Sequence, residues 1–216
     1  MTRFKVCQTE CGLGLEDRFS AQRPLAIDFE NQDFLRRLTQ AGRKGELVAK
    51  AVKPGAGVKL LDCTAGLGAD AFILAHLGCD VTLVERSNVV HALLEDAVSR
   101  AARNPKLSVT ASRINLIHGD AIELLAVGSV SPDVIYLDPM FPEKAGSALV
   151  SGEMQILQRF LGPDHDVFAL LDAALESEAR KIVLKRPPRS DWHPPRAPDH
   201  VITGRNSRFE VWAQRA

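Results

Sequence analysis

The chain has 216 residues, 45% of them hydrophobic and 25% charged, with a formal net charge of zero. That length suits one α/β domain but not two full ones, and no apolar run approaches the roughly 18 residues a membrane helix needs, so a protein without a membrane span is predicted. Neutrality hides a segregation: residues 36 to 53 and 181 to 216 each carry a net +5, the stretch from 54 to 180 carries −8, and residues 1 to 35 carry −2. A basic periphery around an acidic centre fits a polyanion held at the rim of a pocket for a cation, the alternative being ordinary solvated surface charge.

Met1-Thr2-Arg3-Phe4-Lys5 shows no apolar leader, and a cytoplasmic location is expected. Residues 1 to 35, broken by Gly12, Gly14 and Pro24, read as an N-terminal extension forming a small hairpin or an arm, with the main domain spanning 36 to 216. Cys7 and Cys11 form no CxxC and, like Cys63 and Cys79, have no histidine partner at zinc spacing, so neither a disulfide framework nor a metal site is predicted. From Asp33 to Val52 helical pieces are interrupted near Gly42 and Gly45.

Strand and helix then alternate. Val58 to Cys63, Asp80 to Glu85, Ile114 to His118, Val134 to Leu137 and Lys181 to Lys185 read as strands, and Ala69 to Leu77, Val89 to Arg103, Ala121 to Ala126 and Asp166 to Glu178 as helices. The pattern predicts a largely parallel sheet covered on both faces. After a proline-rich loop, His200 to Thr203 and Arg208 to Trp212 flank Gly204-Arg205-Asn206-Ser207, a hairpin signature. A parallel sheet finished by an antiparallel hairpin matches the Rossmann-like, class I architecture of S-adenosylmethionine-dependent methyltransferases.

Three segments carry chemistry. Asp62-Cys63-Thr64-Ala65-Gly66-Leu67-Gly68-Ala69-Asp70 follows the first of these strands and opens a helix, and its glycines allow a ligand close to the backbone. Gly66, Gly68 and Ala71 also satisfy a dinucleotide fingerprint, so the motif alone does not choose between a nicotinamide and S-adenosylmethionine. Asp70, in the first helical turn, would repel a pyrophosphate but suits a cationic amino group and sulfonium, and the chain lacks room for a separate substrate domain. Glu85, ending the second strand, is placed to take two ribose hydroxyls. Asp120, after the third, either faces an adenine amine or caps the following helix.

The most telling segment is Asp138-Pro139-Met140-Phe141, directly after the apolar Val134-Ile135-Tyr136-Leu137. The Asp138 carboxylate and the Pro139 carbonyl can each accept one hydrogen of an exocyclic NH2, while Phe141 lies against the ring. Lys185 and Arg186 read as a phosphate-holding pair or a snorkelling strand end, and Lys144 as a weaker phosphate contact or a solvated loop residue. Trp192 and Trp212 either stack on bases or pack, and His91 and His118 have no evident partner.

Together with Leu83-Val84-Glu85-Arg86, Ser147-Ala148-Leu149-Val150, Leu161-Gly162-Pro163-Asp164 and Val183-Leu184-Lys185-Arg186-Pro187, these segments resemble the RsmJ-type ribosomal RNA methyltransferases, from about Ala26 to the C-terminus. The resemblance implies methyl transfer from S-adenosylmethionine to the exocyclic N2 of a guanosine near the 3′ end of 16S RNA, as naked RNA or in the small ribosomal subunit. It implies cofactor contacts at Ala69, Asp70, Glu85, Arg86, Asp120, Ala121 and Asp138. Lys44 stands where the family has an arginine before Gly-Glu, and the residues before Ala26 do not match. The rival readings are a non-catalytic RNA-binding protein on the same fold, and an N-methyltransferase acting on another nucleic acid or a protein amide. No oligomeric state follows from these residues.

Overall fold

A computed structural model describes residues 2–42, 45–141, 152–188 and 192–214. At its centre is a seven-stranded sheet in the order β6-β5-β4-β7-β8-β10-β9. The strands are β4 (Lys59–Asp62), β5 (Asp80–Glu85), β6 (Ile114–His118), β7 (Val134–Leu137), β8 (Lys181–Arg186), β9 (His200–Thr203) and β10 (Arg208–Ala213). Strands β4 to β8 pair in parallel, whereas β10 runs antiparallel to both β8 and β9, as the predicted hairpin requires.

The central strands are continuously apolar because both of their faces are covered. Leu60, Val134, Tyr136 and Val183 enter one core with Phe72, Leu93 and Leu94, while Leu61, Ile135, Leu137, Ile182 and Leu184 enter the other with Leu171, Ala174 and Trp212. Helices α3 (Ala69–His76) and α4 (Asn88–Arg103) cover the first face, and α6 (Ala121–Val127) and α8 (Val167–Glu176) the second. From β4 the chain winds outward to β6 and then returns to β7 on the other side of β4, so β4 and β7 flank the point where the winding reverses. In open α/β sheets the carboxyl ends at such a point form a crevice.

The N-terminal residues form more than an arm. Strands β1 (Phe4–Thr9), β2 (Gly12–Asp17) and β3 (Leu25–Ala26) make a separate antiparallel sheet. Leu15, Leu25, Ile27 and Phe29 join the first core, where the Phe29 ring stacks on Phe72 at 4.2 Å. The expected boundary between residues 35 and 36 falls inside α1 (Gln32–Gln40), which is followed by α2 (Leu47–Val52). Two helices went unanticipated, the short α5 (Ser108–Ala111) and the ten-residue α7 (Gly152–Leu161). Met154, Leu157 and Leu161 repeat at helical spacing along α7 and line the crevice. Among the described residues no helix is long and apolar enough to cross a membrane, and no cluster of three or more His, Cys, Asp or Glu is arranged to hold a metal.

Candidate active site

The crevice is a cavity of about 1310 Å³ at the carboxyl ends of β4, β5, β7 and β8. That exceeds the roughly 300–1,000 Å³ of an ordinary ligand pocket, leaving room for a cofactor and part of a second ligand.

One wall is built from backbone. After β4 the loop is pinned by Cys63 N–H to the Tyr136 carbonyl (3.0 Å) and Ala65 N–H to the Val84 carbonyl (3.2 Å). Gly66 (φ +52°) and Gly68 (φ +70°) both adopt left-handed backbone, but for different reasons. A Cβ on Gly68 would lie 2.8 Å from Leu94 Cδ2, so close helix packing requires that glycine rather than a ligand. A Cβ on Gly66 would meet only the Thr64 carbonyl, at 3.6 Å, and this is where a ligand can approach the chain. Glu85 is aimed by two amides, Gly66 N–H on Oε2 (3.1 Å) and Ser87 N–H on Oε1 (2.8 Å). Burial raises its pKa, and those two amides oppose the rise.

Asp120 caps α6, its Oδ1 accepting from Ile122 N–H (2.8 Å) and Glu123 N–H (3.3 Å), so the capping role is realised while the residue also lines the cavity. Ala121 follows it, buried. Arg86 is drawn away by its charge: its guanidinium pairs with Asp164 and Asp166. Any contact this side chain makes to a cofactor shares its donors with two carboxylates.

The other wall is built from side-chain charges. Asp138 N–H donates to Thr64 Oγ1 (2.6 Å), which ties the end of β7 to the glycine loop. Lys185 Nζ lies 2.8 Å from Asp138 Oδ2 and 2.8 Å from Asp70 Oδ2. Asp70 also accepts from Tyr136 Oη (2.9 Å) and from Arg37 Nη2 (3.2 Å). The cation expected to meet Asp70 in a ligand is therefore met by the protein itself. Burial alone would raise the pKa of Asp70, but Lys185, Arg37 and the tyrosine outweigh it and hold it low. Asp138 stays raised by desolvation, with Lys185 opposing and Asp70 reinforcing. Burial disfavours charge on Lys185, yet its two carboxylates raise its pKa overall.

The tetrapeptide is clamped from outside. Asp164 Oδ2 accepts Met140 N–H (2.7 Å), and Asp164 N–H donates back to the Met140 carbonyl (2.9 Å). The Pro139 carbonyl already accepts Phe141 N–H at 3.0 Å and retains its second lone pair. The Phe141 ring stands edge-on to Trp192 at 5.6 Å.

Lys185 and Arg186, expected as a phosphate-holding pair or a snorkelling strand end, both pair with acids of the protein itself. Lys185 is captured between two carboxylates, and Arg186 is only 3% exposed, paired with buried Glu210 and stacked over Trp192 at 5.3 Å. Lys144 lies outside the described residues. Trp212 is buried and donates from Nε1 to the Arg196 carbonyl (3.1 Å), a packing role. Sequence reasoning missed Asp62, Thr64, Tyr136, Arg37 and Asp164 as members of the site. Asp62 is 3% exposed, accepts from Thr64 N–H at 3.0 Å, and is pushed up to about 7 by burial and by the nearby Asp138 and Asp70.

Asp62, Glu85, Asp120 and Asp138 give the cavity an acidic lining that repels a pyrophosphate and accepts hydroxyls, amines and a sulfonium. With the sheet order, this defines a class I S-adenosylmethionine-dependent methyltransferase, and the donor set fits that cofactor. A family described as putative SAM-dependent methyltransferase matches residues 2–214. Proteins named ribosomal RNA small subunit methyltransferase J are similar: the one from Aeromonas hydrophila is 46% identical over 88% of this chain and 78% of its own length. The one from Stutzerimonas stutzeri is 41% identical over 98% and 84%. A solved SAM-dependent methyltransferase from Neisseria gonorrhoeae superimposes with a TM-score of 0.73 at 34% identity, covering 93% of this chain and 78% of its own. The chain belongs to the ribosomal RNA small subunit methyltransferase J family, and S-adenosylmethionine is its cofactor.

Proposed function

We propose that the protein methylates the exocyclic N2 of a guanosine near the 3′ end of 16S ribosomal RNA. One observation carries this reading: Asp138 directly follows β7 on the wall of the cavity that Glu85 also lines, its carboxylate held by Lys185 and its amide by Thr64. The names of the relatives, small-subunit ribosomal RNA methyltransferases, support the substrate class.

S-adenosylmethionine, when bound, supplies an electrophilic methyl group on a sulfonium. Glu85, each of whose oxygens holds one backbone amide, has lone pairs left for the ribose hydroxyls. Asp62 is placed for the amino group, since a cation against its carboxyl would return it toward the ordinary carboxylate range. Asp120 Oδ2, which takes no part in the helix cap, is available to the adenine amine.

The N2 lone pair of guanine is delocalised into the ring, so the amine is a weak nucleophile. Asp138 accepts one N2 hydrogen and the Pro139 carbonyl the other, which holds the lone pair toward the methyl group by positioning and electrostatics. The amine nitrogen sheds one proton on gaining its methyl group, and Asp138, as a carboxylate, is placed to receive it. Phe141 stacks on the base, worth roughly 1–3 kcal/mol by analogy with single-stranded binding. The guanosine must be flipped or in a loop to reach this depth.

The test is mass spectrometry of nuclease-derived oligonucleotides and nucleosides from 16S RNA of a strain lacking the gene, before and after incubation with purified protein and methyl donor. One new N2-methylguanosine near the 3′ end is expected. A methylated adenosine, or no product, would overturn the proposal.

A further inference from the structure

Among the described residues five cationic side chains line the cavity: Arg37, Arg86, Lys185, Arg186 and Arg205. Four are already committed to acids, Arg37 to Glu46 and Asp70, Arg86 to Asp164 and Asp166, Lys185 to Asp70 and Asp138, and Arg186 to Glu210. Among the described residues Arg205 is the lining cation with no ion pair, and it is exposed. An entering nucleotide brings a phosphate that the acidic interior repels, so its charge has to be met at the mouth.

The turn that carries Arg205 is held in place. Gly204 N–H donates to the Ser207 carbonyl at 2.8 Å, closing the connection between β9 and β10. The backbone at Gly204 lies directly on α2, because a Cβ there would fall 2.1 Å from Leu47 Cδ1. Arg205 and Asn206, both exposed and both lining the mouth, are thus offered on a seated turn rather than a loose loop. A guanidinium beside an amide matches the oxygens of a sugar-phosphate backbone.

We propose that the β9–β10 turn is an RNA-contacting surface, with Arg205 on a backbone phosphate of the strand beside the target nucleotide and Asn206 assisting. This rests on the reading of the protein as an RNA methyltransferase. It also accounts for what replaces Lys185 and Arg186 at the phosphate.

The test compares full-length wild type with Arg205→Ala and Arg205→Lys in binding to 16S RNA, followed by fluorescence anisotropy over a range of salt, and in steady-state methylation. Arg205→Ala should raise both Kd and KM for RNA about 5- to 20-fold, and reduce the slope of log Kd against log salt by about 0.7 to 0.9. Arg205→Lys should recover most of the affinity, and S-adenosylhomocysteine should bind all three alike. Arg205→Gln supplies the same charge removal should alanine disturb the turn. Wild-type Kd and salt slope in both neutral variants would overturn the proposal, whereas absence of methyl transfer by the wild type would instead overturn the activity proposed above.

Discussion

Along the β4–β5 side of the cavity, position is set by main-chain atoms: the loop is pinned to β5 and β7, and Glu85 is aimed by the amides of Gly66 and Ser87. Along the β7–β8 side, position is set by charged side chains gathered from distant segments. Arg37, Asp70, Asp138, Asp164 and Lys185 converge there through ion pairs and hydrogen bonds. A backbone-built wall tolerates substitution of most of its side chains. A charge-built wall transmits each substitution to its neighbours, because removing one partner leaves another buried and unpaired.

Substitutions on the second wall should accordingly cost turnover. The largest effect is expected at Asp138→Asn, which keeps the shape but loses the carboxylate, lowering kcat by roughly 10²–10⁴-fold in a radiolabel transfer assay. Turnover close to wild type would remove Asp138 from the chemistry. Next comes Lys185→Met, with a kcat loss of about 10²-fold and a diagnostic pH profile. Lys185 lowers the pKa of Asp138, so its loss moves that pKa up and shifts the acidic limb of kcat against pH to higher pH. An unmoved limb would show that the lysine serves packing alone.

Asp164→Ala should be milder, about 10-fold in kcat, since it releases Met140 and Arg86 without touching the carboxylate. The last effect is on stability rather than turnover, at Asp62→Asn. The Asp62 carboxyl, at about 7 when folded, holds a proton that the unfolded chain releases near pH 4. Its contribution is therefore full below about pH 4 and is lost as pH rises through 7, by an amount on the order of a few kcal/mol. Asparagine removes that slope, so the Tm of the variant should gain on wild type between pH 5 and pH 8. Parallel Tm curves would mean that Asp62 does not titrate in this range.

The same contrast explains what was legible in the sequence. Glycine spacing, a strand-ending acid and an acid-proline-aromatic run are local patterns, and Gly66, Glu85 and Asp138 were read from them directly. The seven-stranded sheet and its terminal hairpin were legible for the same reason, through apolar runs and turn residues. The partners of Lys185 were not legible because its position at a strand end fits an exposed cation, and nothing local reveals two carboxylates arriving from residues 47 and 115 positions away. Asp164 was visible within the Leu161-Gly162-Pro163-Asp164 segment, but its hold on Met140 exists only once the chain is folded. At the N-terminus β1 and β2 form the small hairpin that was one of the two expectations, whereas the third strand and the docking went unread, because β3 has only two residues and the apolar residues find partners only in the core of the main domain.

The most direct test of a cavity with one wall for the cofactor and another for the amine is calorimetric titration of S-adenosylhomocysteine into wild type, Glu85→Ala and Asp138→Asn. Glu85→Ala should weaken binding by about 10²-fold, the loss of two charge-assisted hydrogen bonds, whereas Asp138→Asn should stay within about 10-fold of wild type while its turnover collapses. If Asp138→Asn lost affinity as heavily as Glu85→Ala, and its cofactor-saturated form still turned over at the wild-type rate, the division of labour between the walls would be contradicted.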